Sequence, residues 1–364
     1  MLMTLGVGAG ALNTGNNLLF LLMGMMLSAI IASGIMSEAM LRKLRARRRL
    51  PPRAFAGQPA LGEFTIENPK SYLSLNIELT ELNPHCEQGP LKGEQVGVRD
   101  ISWWMFWKQD VYEDARYVAI VRVFELSPQS TSALAARYVF PARGLYRMPG
   151  LRFSTRFPFG LFHKVAERED EARMAVFPAP LPAREWVARV EAKFGDVRRN
   201  RAGRGEEYFG LRSWRDGEDH RSIHWKASAK KDTFLVREQE EEEQRALILL
   251  IHPWAGDRPM TPSTHAAFER GLSMMVGLIH ALSAEHYRIG LKSPDGSHPP
   301  LDGQVHVDRL LADLASLSLR SGHAPSAAYA SATSSDVATI GFGFEQALKA
   351  LPFELDLSIH FQES

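Results

Sequence analysis

The first 37 residues are the most apolar part of the chain. No charged side chain precedes Glu38, and residues 18–37 form a run of 20 mostly apolar positions. A helix needs about 20 such residues to cross a hydrocarbon layer. A signal peptide would have a basic start and a shorter apolar region. We therefore predict a membrane segment over 1–41, with its main span at 18–37.

A second, shorter apolar stretch precedes this span. Residues 1–12 are apolar but too few to cross a bilayer alone, and the polar sequence 13–17 (NTGNN) follows as a turn. The membrane segment is therefore a helix or a helical hairpin. Its first span is expected either to enter shallowly or to have a true start upstream.

Basic residues follow the span and define an orientation. They lie within 42–54, which we interpret as a basic juxtamembrane linker: Arg42, Lys43, Arg45, Arg47, Arg48, Arg49 and Arg53. Positive juxtamembrane charge is retained on the cytoplasmic side and attracts anionic lipid. We therefore expect the bacterial cytoplasmic membrane as the location, with the remaining domains facing the cytoplasm.

Residues 55–180 change to period-two alternation, which is typical of half-buried strands. Leu75, Ile77 and Leu79, for example, alternate with polar residues, and Pro and Gly recur between such segments. A β-sandwich-like module is predicted. The sequence 157–162 (FPFGLF) combines proline and glycine, which favour a tight reversal, so we interpret it as a structural turn pinned to a core.

The C-terminal region 241–364 alternates strand and helix patterns after a linker predicted at 181–202. Strand-like runs occur at 246–251, 286–291, 337–340 and 355–361, with helical periods at 266–282 and 305–319. This order favours a parallel sheet between helices. The fold class is therefore a multidomain α+β chain with an N-terminal membrane helix or hairpin, a β-sandwich-like middle module and a C-terminal α/β domain.

Composition excludes some functions. The 364 residues carry a formal net charge of +1, so no overall field points to nucleic acid. The one cysteine, Cys86, cannot form a disulfide within the chain and is interpreted as an incidental thiol.

The block 203–240 has the densest mixture of arginine and tryptophan. From 198 to 243 there are eleven basic and eleven acidic residues, a balance unlike a one-signed nucleic-acid surface. Arg and Trp anchor protein interfaces. A helix is predicted over 220–231, capped by Asp219, with Ile223 and Trp225 packed inward and a strand at 234–236.

Catalytic chemistry has weaker support in this block. His220 and His224, with Glu218 and Asp219, could approach a zinc ion, but no third strong ligand follows at typical spacing. No nucleophile or phosphate-loop motif occurs. We expect no metal and no cofactor. The alternative is a hydrolase or ligand-binding site around Arg212, Asp216, Asp219 and His224.

The same block resembles the signature of the bacterial domain of unknown function 58 family. There, an arginine, an aromatic and a Gly-Asp turn precede an Arg-x-Ile-x-Trp-Lys element, as in Arg221, Ile223, Trp225 and Lys226. Residues 13–19, 143–146 and 158–161 are similar to further elements of the family.

The resemblance implies a von Willebrand A-like domain at 241–364. It also implies association with a MoxR-type AAA+ ATPase and with transglutaminase-like membrane proteins. Such domains often bind a divalent ion through Asp-x-Ser-x-Ser. This chain has 252–256 (HPWAG) there, and Asp257 is a poor substitute, so no metal is expected at the sheet top.

We therefore expect a non-enzymatic, membrane-anchored adaptor whose partners are the ATPase and the lipid bilayer. The expected interface or structural residues are Arg212, Trp214, Asp216, Gly217, Asp219, Arg221, Ile223, Trp225 and Lys226. An envelope structural protein would need its soluble part outside the membrane, and the basic stretch 42–53 argues against that orientation.

Overall fold

The computed structural model describes residues 2–82, 84–92, 119–194, 202–214, 223–231, 233–240, 246–325, 329, 337–351 and 355–362. The chain forms two units, the first made of residues 1–179 with 312–318 and the second of 180–311 with 319–364. Helices and several separate sheets give a mixed α and β architecture.

The first unit begins with two packed helices, α1 (Leu2–Thr14) and α2 (Asn17–Leu41). Gly8 faces Met23, and Gly10 faces Leu19, so the helices run antiparallel as a hairpin. The Asn16 side chain caps α2 by accepting a bond from the Leu18 amide at 2.9 Å. Large apolar side chains are exposed along α2.

The strands of the first unit follow in two sheets. Their bounds are β1 (Arg45–Arg49), β2 (Ala54–Phe55), β3 (Pro59–Asn68), β4 (Ser74–Leu82), β5 (His85–Gln88), β6 (Ile120–Leu126), β7 (Ser130–Val139), β8 (Gly144–Thr155) and β9 (Lys164–Phe177). One sheet has the order β1-β3-β7 and the other β2-β9-β8-β4-β6, with β5 paired to β8. Side chains from both sheets share one core, among them Phe64, Tyr138, Leu79 and Phe153.

The basic stretch 42–54 differs from the predicted linker. Its arginines 45–49 form β1, which pairs antiparallel with β3, and Ala54–Phe55 pairs with β9. Side chains of a strand point alternately to its two faces. In β1 this leaves Arg45, Arg47 and Arg49 exposed and turns Arg48 toward the core. Sequence alone could not show which strand this arginine run pairs with.

Arg48 is the inward-facing arginine of β1. Its side chain is 2% exposed and donates to the equally buried Glu81, to Asp170 at 3.2 Å and to the Met148 carbonyl at 3.1 Å. Tyr138 donates its hydroxyl to the other Glu81 oxygen at 2.9 Å. The two sheets are therefore joined by a buried ionic network as well as by apolar packing.

The last turn of α2 is fastened to the β module. Lys70 Nζ donates to the carbonyls of Ala39 at 3.0 Å and Met40 at 2.7 Å, and Ser74 Oγ donates to Met40 at 3.2 Å. A cation at a helix C-terminus also complements the helix dipole. Burial lowers the pKa of Lys70 to about 8.

The second unit contains the remaining elements. They are α3 (Arg184–Phe194), β10 (Ala202–Ser213), α4 (Trp225–Lys231), β11 (Leu235–Glu240), β12 (Ala246–Ile251), α5 (Pro262–Ala284), β13 (Arg288–Lys292), β14 (Ser297–Leu301), α6 (Gln304–Ser316), β15 (Ala338–Gly343), α7 (Glu345–Lys349) and β16 (Leu357–His360). The last residues of α6, from 312 onward, group with the first unit. Helix α3 occupies part of the predicted linker 181–202, because Val190 provides a buried apolar position.

A sheet of order β14-β13-β12-β15-β16 organises the second unit. Strands β13, β12, β15 and β16 are mutually parallel, as the alternating pattern predicts, and β14 is antiparallel at one edge. The pattern missed β14 because it contains Pro299 and Pro300, which lack amide donors and are tolerated in edge strands. Helix α5 begins at Pro262 behind the Thr261 cap and buries one side, including Phe268 and Leu272.

Removing one partner of the buried network should be costly. Glu81→Ala leaves the Arg48 charge buried, so we expect a loss of about 3–5 kcal/mol in the free energy of unfolding. Glu78→Ala on the same strand breaks an exposed pair with Arg122 and should cost about 0–1 kcal/mol. The two variants are compared by denaturant unfolding of the detergent-solubilised protein at pH 8. Burial raises the pKa of Glu81 to about 7, so its carboxylate is ionised at this pH. Equal losses would contradict the network's role.

Lys70 should make stability depend on alkaline pH. Its folded pKa of about 8 lies below the ordinary value of 10.5, so the folded state binds fewer protons between these pH values. The free energy of unfolding should therefore rise with pH across that window, by about 1–3 kcal/mol relative to Lys70→Met. Unfolding curves of both proteins from pH 7.5 to 10.5 give this difference, and a constant difference would refute the assignment.

Candidate partner-binding surface

The block 203–240, called the signature block from here on, contains in its described residues a two-stranded ribbon and a short helix. Strand β10 pairs antiparallel with β11, placing Arg212 opposite Val236 and Ser213 opposite Leu235. The Trp214 amide then donates to the Phe234 carbonyl at 2.8 Å. Ile223 forms a bridge with Val236 where the chain returns before α4.

Hydrogen bonds from Ser228 and His224 fix α4 on β11. The Leu235 amide donates to Ser228 Oγ at 2.9 Å, and Ser228 Oγ donates to the His224 carbonyl at 3.1 Å. The His224 amide donates to the Leu235 carbonyl at 2.7 Å. Ile223, Leu235 and Val236 are buried beneath these bonds, so the small motif has an apolar base.

An aromatic surface lies on the outside of this motif. Phe234 makes edge contacts with Trp214 and Trp225, at centroid distances of 6.4 and 6.2 Å. Trp225 is 61% exposed and Phe234 is 56% exposed. Exposed aromatics held in place by their neighbours are typical anchors of protein interfaces. We call Trp214, Trp225 and Phe234 the aromatic surface.

The inward packing predicted for Trp225 is wrong, whereas that of Ile223 agrees with the structure. Ile223 fills the buried position beside Val236, and Trp225 begins α4 on the solvent side, followed by the exposed Lys226. The helix is also shorter than the predicted 220–231. Sequence reasoning missed Phe234 as a surface residue. No local signal marked it, because Leu235 and Val236 are both buried, so simple alternation along this strand does not account for the exposure of Phe234.

Only some of the other predicted site residues lie in the described part of the chain. Arg212 contributes backbone pairing within β10. Asp216, Gly217, Asp219 and Arg221 lie outside the described residues, as do Glu218 and His220 of the possible zinc set. The structure thus brings Trp214 and Trp225 against Phe234 and pairs Ile223 with Val236, while Lys226 follows Trp225 as an exposed residue.

The carboxyl edge of the parallel sheet is where α/β proteins usually bind ligands. Here the residues after β12 place aromatic side chains at that edge. His252 lies 5.1 Å from the Trp254 ring and 5.8 Å from the Tyr329 ring, and Tyr329 donates to the Ile251 carbonyl at 2.7 Å. All three are buried, and burial lowers the pKa of His252 to about 4. A buried, uncharged aromatic cluster therefore lies at this edge.

Metal-ligating side chains do not gather elsewhere in the described part of the chain. Within it, no group of three or more His, Cys, Asp or Glu residues has an arrangement that could hold a metal ion. Asp257, which follows the sheet edge in sequence, lies 3.8 Å from His323 and is mostly exposed.

Comparison with known proteins supports one family. The family model described as "Protein of unknown function DUF58" matches residues 210–341, from the end of β10 into β15. The chain therefore carries a match to this domain over the ribbon and much of the parallel sheet. No curated protein matches significantly.

Two solved structures show remote similarity. The PapD-like domain 7 of human CEP192 has 11% identity and a TM-score of 0.24, covering 37% of this chain and 84% of that chain. The GH20 exo-beta-N-acetylglucosaminidase from Vibrio harveyi has 9% identity and a TM-score of 0.18, covering 82% of this chain and 57% of that chain. Both scores are too low to bear on fold or function.

The aromatic surface and its base should respond differently to truncation. Trp225→Ala removes an exposed ring and should change the free energy of unfolding by about 0.5 kcal/mol or less. Ile223→Ala empties a buried position and should cost about 2–5 kcal/mol. Thermal or denaturant unfolding separates the two, and a large loss in Trp225→Ala would mean that the ring serves stability.

Proposed function

We propose that this protein is a membrane-anchored, non-enzymatic adaptor that works with a MoxR-type AAA+ ATPase at the cytoplasmic face. The observation that carries the proposal is the aromatic surface. Two large aromatic rings exposed to solvent lower the solubility of a protein. A partner protein that covers Trp225 and Phe234 explains why the chain exposes them.

Membrane anchoring is supported by helix α2. It is the one described helix that is long and apolar enough to cross a membrane. A core helix of a soluble protein would bury its apolar side chains, but Leu18, Leu21, Met25 and Ile35 are each more than 60% exposed. Such a surface is stable when lipid surrounds it. Exposed Arg42 and Lys43 follow the span and favour the cytoplasmic side for the remaining chain.

The proposed domain types are a β-sandwich-like first module and a von Willebrand A-like second domain. Two sheets around one core support the former. The sheet order β14-β13-β12-β15-β16, with helices between parallel strands, supports the latter. The aromatic cluster of His252, Trp254 and Tyr329 occupies the edge where such domains often hold an ion.

The partner assignment combines the aromatic surface with the family resemblance. The aromatic surface offers anchors for a protein, and the exposed Lys226 follows Trp225 in sequence. The family resemblance names the ATPase, and it also names a transglutaminase-like membrane protein as a further partner. We propose that the ATPase contacts Trp225 and Phe234.

Affinity purification of the full chain tests this function. Membranes are solubilised gently under nucleotide-trapping conditions, and an AAA+ ATPase is quantified by mass spectrometry for wild type and for Trp225→Ala/Phe234→Ala. We expect recovery of the ATPase to fall at least about tenfold in the double variant, a loss of about 1.4 kcal/mol or more.

The control is Phe124→Ala, because Phe124 is an 81% exposed aromatic on β6 of the first unit. It should leave ATPase recovery unchanged. Recovery that is equal in all three proteins would reject the aromatic surface as the interface. Failure to recover any AAA+ ATPase with wild type would reject the partner itself.

A further inference from the structure

A second apolar feature of the first unit lies beside the proposed span. The sequence 157–162 forms the turn between β8 and β9, and we call it the Phe-Gly turn. Its Phe157 packs at the border of the core, but Phe159 is 63% exposed and Leu161 is 52% exposed. A turn that served only to close the core would bury these side chains. The structural interpretation of this sequence therefore explains only part of it.

The turn has a fixed conformation. The Gly160 amide donates to the Arg156 carbonyl at 2.8 Å, with Gly160 at φ +68°, where a side chain would be strained. The Phe157 amide donates to Thr155 Oγ1 at 3.2 Å, and that hydroxyl donates to the Asn76 carbonyl at 2.9 Å. Phe159 and Leu161 are thus presented outward by a preformed loop, at little further entropic cost on binding.

The depth of the turn follows from its contact with α2. Phe162 lies 3.8 Å from the Cβ position of Gly34, and Lys164 pairs with Glu38 at 2.9 Å. Gly34 precedes Glu38 by four residues, which is about 6 Å along the helix on its apolar side. Ser33 and Ser37 are also buried in the first unit. The β module therefore covers the helix up to a level inside its apolar segment.

Neighbouring side chains suit a membrane interface. Arg156 and Lys164 bracket the turn in sequence, and exposed Arg42 and Lys43 follow the helix end. Tyr72, 42% exposed, donates to the Ala39 carbonyl at 3.3 Å in a second loop at this helix end. Exposed apolar tips with basic and tyrosine neighbours are typical of groups at the boundary between headgroups and acyl chains.

We propose that the Phe-Gly turn inserts Phe159 and Leu161 into the headgroup–acyl boundary of an anionic leaflet, next to α2. The first unit then contacts the membrane at two places, and a two-point contact fixes the orientation of the β module toward the bilayer. This inference rests on the proposed membrane anchoring by α2. The occupant is lipid because the turn continues the surface of the helix that lipid surrounds.

Site-directed spin labelling of the full chain tests the insertion. Single cysteines replace Phe159, Leu27 in the middle of α2, and Leu61 on β3, in nanodiscs of phosphatidylglycerol and phosphatidylethanolamine. Wild type gives the labelling background, because its one cysteine, Cys86, is buried. Collision with oxygen reports lipid, and collision with a water-soluble nickel chelate reports water.

Leu61 is the matched water control. Leu61 is apolar and 71% exposed. It lies far from the helix end, because Asn68, at the other end of β3 about 23 Å away, donates to the Tyr72 carbonyl in the loop at that helix end. We expect oxygen collisions to exceed nickel collisions at 159 and 27, and the reverse at 61. Replacing phosphatidylglycerol with phosphatidylcholine should reduce the oxygen excess at 159 and leave position 27 unchanged.

The remaining outcomes distinguish insertion of the Phe-Gly turn from membrane anchoring by α2. Nickel access at 159 with lipid exposure at 27 overturns the insertion and leaves the anchor intact. Low collision with both reagents at 159 means a protein contact, from a second copy or another chain, and also overturns it. Nickel access at 27 rejects the anchor on which the proposed function depends.

Discussion

The backbone carbonyls at the end of α2 need hydrogen-bond donors, because the last turn of a helix leaves them without partners inside the helix. In this chain the β module supplies them, through Lys70 and Ser74 on the carbonyls of Ala39 and Met40. The end of the helix is therefore attached to the module by side-chain hydrogen bonds as well as by the chain itself. The position of the Phe-Gly turn beside the helix, and the orientation of the whole first unit, follow from this attachment.

The ionic network of Arg48 and Glu81 is the second constraint on the first unit. It ties an arginine of the edge strand to the facing sheet, with Tyr138 completing the carboxylate's bonds. Buried pairs of this kind add less net stability than apolar packing but tolerate the loss of one partner poorly. They therefore favour one pairing of β1 over alternatives in a stretch whose other arginines face solvent.

The second unit separates two surfaces with different chemistry. At the carboxyl edge of the parallel sheet, where many α/β proteins bind ligands, His252, Trp254 and Tyr329 pack on one another. On the ribbon, the rings of Trp225 and Phe234 are exposed while Ile223 and Leu235 form the base. The first surface is a buried aromatic cluster, whereas the second exposes two large rings to solvent.

The sequence by itself determined the apolar helix, the strands with a period of two, and the alternation of strands and helices in the second unit, because each depends on local periodicity. It also located the signature block and the buried position of Ile223. Only the tertiary structure decided that Arg45–Arg49 is a paired strand, that Trp225 faces outward, and that the Phe-Gly turn lies beside Gly34. These depend on which distant segment supplies a pairing edge, a covering side chain or a helix cap, and no local pattern encodes that choice.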